Sequence, residues 1–91
     1  MIIEFYGDDC PHCDRMKPLL ARLAAEEAVT IESYEIWNNP KNEEKFTLYD
    51  KGRCGGVPFF INPQTDAFVC GEDTYEALKE IALGTKNQTT P

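Results

Sequence analysis

Cys10 and Cys13 lie two residues apart, and the chain's single histidine, His12, stands between them in Gly7-Asp8-Asp9-Cys10-Pro11-His12-Cys13-Asp14. Thiols at this spacing can hold a metal ion, staple the chain, or cycle between dithiol and disulfide. The surrounding pattern bears on the choice. Ile2-Ile3-Glu4-Phe5-Tyr6 is a short apolar run that ends at Gly7 and reads as a strand. From Pro11 to about Ala25, Met16, Leu19, Leu20, Leu23 and Ala24 recur at helical spacing. The pair therefore opens a helix directly after a strand. There the unpaired backbone N–H groups and the positive helix end favour thiolate over thiol, so Cys10 is expected to have a depressed pKa. Cys13, one turn in, is expected to be more shielded. An exposed attacking thiolate and a second thiol that resolves the mixed disulfide are the two requirements of dithiol exchange.

The remaining elements follow from the same kind of pattern. Pro18 is expected to kink the first helix. Val29 to Trp37, rich in β-branched and aromatic residues, reads as a second strand. Asn39-Pro40 supplies an N-cap and a proline for the first helical position, and this second helix runs to about Asp50 and stops at Gly52. Val57-Pro58-Phe59-Phe60-Ile61 is a third strand, Asn62 to Asp66 a turn, and Ala67 to Cys70 the returning strand. Asp73 and Glu76 are expected to form a capping box for a last helix, which Gly84 closes. Residues 85–91 are polar and lack periodicity, and are expected to form a loose tail after a domain spanning 1–84. The order β-α-β-α-β-β-α builds an α/β domain, a four-stranded mixed sheet with helices on both faces.

Composition narrows the partners. Sixteen acidic residues against nine basic ones give a net charge of −7, which argues against nucleic acid and anionic membrane. No stretch is apolar for long enough to span a bilayer as a helix. With Met1 as the native start, a cytoplasmic protein is expected. Four cysteines in 91 residues suit a secreted disulfide framework. The long helical patterns and 42% hydrophobic residues favour instead a chain that folds unstapled.

Three sites together resemble the thioredoxin superfamily, in a minimal, glutaredoxin-like version covering Ile2 to Gly84. They are Cys-Pro-His-Cys at Cys10 to Cys13, Val57-Pro58 ahead of the third strand, and Gly71-Glu72-Asp73 ahead of the last helix. Pro18, five residues after Cys13, and Asn39-Pro40 are similar to thioredoxin. The Cys-Pro dipeptide, Arg15, Lys17 and the short length are similar to glutaredoxin. Asp9 stands where thioredoxin has tryptophan, and Asp8 and Asp9 oppose both an anionic ligand and thiolate formation.

The resemblance implies a thioredoxin fold and a thiol–disulfide oxidoreductase. Cys10 attacks, Cys13 resolves, and His12 donates a hydrogen bond or a positive charge to the Cys10 sulfur. Pro58 is then a cis proline lying against the cysteine pair, and the backbone of Val57 docks substrate. Gly71 and Asp73 hold the γ-glutamyl end of glutathione, which is expected to bind weakly. The substrate is a disulfide-containing protein or a glutathione mixed disulfide. No bound cofactor is needed, because glutathione or a thioredoxin-reductase-type donor supplies electrons, and a monomer is expected.

Other readings stay open. The cysteine pair can ligate zinc or an iron–sulfur cluster, making a non-catalytic sensor or metal-binding module, although Cys54 and Cys70 lack a second CxxC spacing. His12 can be a plain surface residue. Cys54 and Cys70 read first as small buried residues, with a bridge between them as the alternative. Tyr6, Phe59, Phe60 and Phe68 read as core.

Overall fold

The run Ile2–Tyr6 forms β1, an inner strand of a four-stranded sheet ordered β2-β1-β3-β4. The computed structural model describes residues 1–84, so the tail expected at 85–91 lies outside the described residues. The other elements are α1 (Pro11–Glu27), β2 (Ile31–Glu35), α2 (Pro40–Asp50), β3 (Phe59–Ile61), β4 (Phe68–Cys70) and α3 (Tyr75–Leu83). β1 pairs in parallel with β2 and antiparallel with β3, and β3 pairs antiparallel with β4. The element order and the mixed sheet are those expected from the sequence.

Side-chain alternation along β1 divides the core in two. Ile2 joins Met16, Leu20 and Leu23 of α1, Leu78 and Ile81 of α3, Phe60 and Val69 on one face. Ile3 and Phe5 join Phe59 and Ile61 with Phe46 of α2 on the other. Phe5 and Phe46 meet edge-to-face at 5.5 Å between ring centroids, and Phe46 and Phe59 at 5.6 Å. Such pairs add about 0.5–1.5 kcal/mol beyond the area they bury. Thus α1 and α3 cover one face and α2 the other. Phe59 and Phe60 are fully buried, whereas Tyr6 and Phe68 are only partly so.

α1 stays helical through Pro18, whose missing N–H leaves the carbonyl one turn back without its helical donor. Two local details differ from expectation. β2 is shorter than Val29 to Trp37: the ladder to β1 runs from Ile31 to Glu35, and hydrogen bonds at Thr30 and Ile36 mark its two ends. The cap of α3 is Thr74 rather than Asp73. Thr74 takes the extended cap conformation and its hydroxyl accepts from the Ala77 N–H at 3.2 Å, while the Asp73 carboxylate accepts from the Thr74 N–H at 2.7 Å. No helix among the described residues is long and apolar enough to cross a membrane.

Gly7, where β1 gives way to the cysteine loop, has a steric role. A Cβ there would lie 2.2 Å from the Trp37 ring. Trp37 is 55% exposed, so its ring lies over the Gly7 backbone rather than in the core. Gly7→Ala should therefore push the ring outward, at about 1 kcal/mol of stability. Trp37, the only tryptophan, reports this directly. Its emission should shift to the red with the fold intact, and an unchanged spectrum would contradict this packing.

Candidate functional site

Cys10 is the N-cap of α1. Its backbone is extended (φ −104°, ψ 104°), and its sulfur accepts a hydrogen bond from the Cys13 N–H at 3.1 Å. Pro11 at the first helical position has no N–H to satisfy. Asp9 before it takes a left-handed conformation (φ 60°) that aspartate tolerates better than most residues. Cys10 and Cys13 are joined as a disulfide, their Cα atoms 5.2 Å apart. The expected difference in access is small in this oxidised form: Cys10 is 3% exposed and Cys13 0%.

Sheet register brings the other expected residues to the same end of the molecule. Phe5 pairs with Phe59, so the segment entering β3 lies beside the segment leaving β1 toward Cys10. That segment is Val57-Pro58, and its peptide bond is cis. Pro58 is fully buried, and Val57 is half-buried. Phe59 pairs in turn with Cys70, and the Gly71 N–H donates to the Pro58 carbonyl at 2.7 Å. The loop after β4 closes onto α1: the Asp73 N–H lies 3.5 Å from the Met16 sulfur.

Glu72, which the sequence reading leaves without a role, fastens this loop. One carboxylate oxygen lies 2.9 Å from His12 Nδ1, and the other accepts from Arg15 Nε at 2.9 Å. Arg15 first, and His12 after it, hold this carboxylate below its ordinary pKa of 4.5. With the cysteines joined as a disulfide, His12 Nδ1 faces Glu72. The reason is local. From the exposed first turn of α1, the ring reaches a formal carboxylate, a stronger acceptor than a disulfide sulfur. Arg15 Nη2 also lies 2.9 Å from His12 Nδ1. Nδ1 donates to Glu72 when protonated and accepts from Arg15 when not.

Glu35 organises the other side of the cysteine loop. Its carboxylate accepts from the N–H groups of Asp8, Trp37 and Asn38 at 3.1, 3.0 and 2.9 Å. These bonds tie the segment before Cys10 to the end of β2. Asp8 and Asp9 remain exposed, so the approach to the pair is acidic.

Glu4 is the second residue the sequence reading passed over. It is 4% exposed and lies on the face of β1 that α1 covers. Ser33 Oγ donates to one carboxylate oxygen at 2.7 Å, and the other oxygen is buried with no partner. Burial pushes the carboxyl pKa up, against the opposing pull of the Ser33 hydrogen bond and Lys17. Glu4, Ser33 and Tyr6 line an open cavity of about 440 Å³ with Lys17, one turn beyond Cys13 on α1. The signal was present in the sequence: a carboxylate at the centre of an apolar inner strand needs a reason.

No group of three or more metal-binding side chains occurs among the described residues. No family model matches the chain, and no curated protein matches it.

A buried carboxyl with a raised pKa binds its proton more tightly in the folded than in the unfolded chain. Its linkage therefore lowers stability as pH rises from 4.5 through the raised value. Glu4→Gln should remove that dependence. The stability difference between wild type and variant should shift in the variant's favour as pH rises from mildly acidic values toward neutrality and above. Denaturant unfolding across pH measures it, and a pH-independent difference would show that Glu4 is ionised throughout.

Proposed function

We propose that the protein is a thiol–disulfide oxidoreductase of thioredoxin-like fold, working through Cys10 and Cys13. The observation that carries this reading is the helix cap: Cys10 Sγ accepts the Cys13 N–H at the start of a 17-residue helix, beside an X-Pro segment from a neighbouring strand. A sulfur in that position gains most from the helix-end field when it is a thiolate.

In the reduced protein the Cys10 thiolate attacks one sulfur of a substrate disulfide. A Cys10–substrate disulfide forms and the other substrate sulfur leaves as thiolate. Cys13 then gives up its proton and attacks the Cys10 sulfur, which closes the Cys10–Cys13 bond and releases the second substrate thiolate. Two electrons pass from the dithiol to the substrate. Cys13 is sealed from solvent, so its proton needs an internal acceptor. We assign that role to Glu4, the buried carboxyl with a free oxygen on the face under α1. Val57 presents its backbone to an extended substrate segment, with Pro58, Gly71 and Asp73 forming the adjoining walls. Electrons return from glutathione or from a reductase, and the acidic approach at Asp8 and Asp9 makes glutathione the weaker ligand.

Reduction of insulin by dithiothreitol tests this against a passive, non-catalytic module. Wild type should accelerate the reaction well above the uncatalysed rate, and Cys10→Ser should abolish the acceleration. Cys13→Ser should accumulate mixed disulfides through Cys10, and Glu4→Gln should slow the step in which Cys13 releases substrate. A wild-type rate equal to that of dithiothreitol alone would refute the reading.

A further inference from the structure

The second disulfide joins the two segments that lead into the walls of the substrate-docking groove proposed above, Val57-Pro58 and Gly71 to Asp73. Cys54 precedes Gly55-Gly56-Val57-Pro58, Cys70 precedes Gly71-Glu72-Asp73, and the two are bonded with their Cα atoms 5.5 Å apart. Cys70 is exposed and Cys54 half-buried, which corrects the expectation of two small buried residues. The physical reason is that Cys70 ends the edge strand β4, where only β3 covers it.

Each half of this bridge is held in place without the covalent bond. The Asp50 carboxylate, itself 3% exposed, accepts from the N–H groups of Cys54 and Gly55 at 2.7 and 3.0 Å. Arg53 donates to the Asp50 and Tyr49 carbonyls and to Asp66, which fixes the same loop to α2 and to the turn between β3 and β4. Cys70 is set by its ladder position opposite Phe59. A bond whose ends are independently positioned can open and re-form without the chain losing its way. The Cys54 sulfur also lies 3.5 Å from the Gly56 carbonyl, an acceptor ready for a thiol proton.

We propose that Cys54–Cys70 is a second thiol-exchange site, opened at Cys70 by a small thiolate, whose state sets the width of the docking groove. The thiolate attacks the exposed Cys70 sulfur to form a mixed disulfide. Cys54 leaves, takes up a proton and donates to the Gly56 carbonyl. A second small thiol attacks the adduct and departs as the oxidised dimer, leaving two protein thiols. Two small thiols thus lose two electrons to the protein. Opening frees the chain just before Val57 from the chain just before Gly71, while the bond from the Gly71 N–H to Pro58 keeps the proline in register. The effect on docking rests on the function proposed above. The exchange itself does not.

The full chain carrying Cys10→Ser and Cys13→Ser isolates the second pair. It is equilibrated against cysteamine–cystamine and glutathione buffers, alkylated under native conditions and read by mass spectrometry. Both thiols should become open to alkylation as the buffer turns reducing and be protected again when it is returned to oxidising, and adding Cys54→Ser should leave one small-thiol adduct on Cys70. Peptide mapping of wild type treated identically gives the same answer without substitution, and circular dichroism monitors the fold. A pair that resists millimolar thiol until denaturant is added would overturn the proposal. In an otherwise native chain, Cys54→Ser with Cys70→Ser should raise KM for a disulfide peptide severalfold and change kcat less. An unchanged KM would overturn the effect on the groove. Absence of any turnover in wild type would instead refute the catalytic function, with the exchange result standing by itself.

Discussion

The hydrogen bond from the Cys13 N–H to the Cys10 sulfur is the contact on which the proposed chemistry depends. A helix start leaves several backbone N–H groups without intrahelical partners, and a side-chain acceptor normally satisfies one of them. Here the acceptor is sulfur, and the helix behind it is long and well anchored. Met16, Leu20 and Leu23 are buried beneath it, and β1 leads into it. The core on this face thus aims a helix end at one sulfur atom. Loosening that packing would weaken the field at Cys10 even with every residue of the motif in place.

The other segments converge because the sheet is mixed. An antiparallel β3 beside β1 brings the entrance of one strand next to the exit of the other, which sets the cis Val57-Pro58 bond near the cysteine loop. A β4 paired with β3 then returns Gly71 to that same end, and Glu72 completes the circuit through Arg15 and His12 on the first turn of α1. These ion pairs are exposed, so their contribution to stability is small. Their value is positional: they hold the loop after β4 against the helix that presents the disulfide. The second disulfide performs the same office between Cys54 and Cys70.

Much of this was legible in the residues. Strands and helices announced themselves through apolar periodicity, Asn39-Pro40 caps α2 as its sequence indicates, and the cysteines open the helix after the first strand. What escaped depends on contacts between distant parts of the chain. His12 turns to a carboxylate 60 residues away, and nothing in the Cys-Pro-His-Cys motif foretells that partner. Cys54 and Cys70 pair because the β3–β4 ladder and the Asp50 anchor bring them together, a juxtaposition that spacing alone leaves undecided. Thr74 displaced Asp73 as the cap by a single residue, a margin that side-chain chemistry cannot resolve, since both types cap well. Glu4 is visible as a charge in an apolar strand, but its burial and its Ser33 partner depend on the pairing of β1 with β2.

The proposed function requires the start of α1 to stabilise a thiolate on Cys10 despite Asp8 and Asp9 beside it. The rate of iodoacetamide alkylation of Cys10 in the fully reduced protein, followed against pH, measures this most directly. Cys10 should remain rapidly alkylated at about pH 6, well below the ordinary thiol range near 8.5, while Cys13 reacts slowly. A Cys10 rate that falls away below about pH 8, as for an unperturbed thiol, would contradict the central claim.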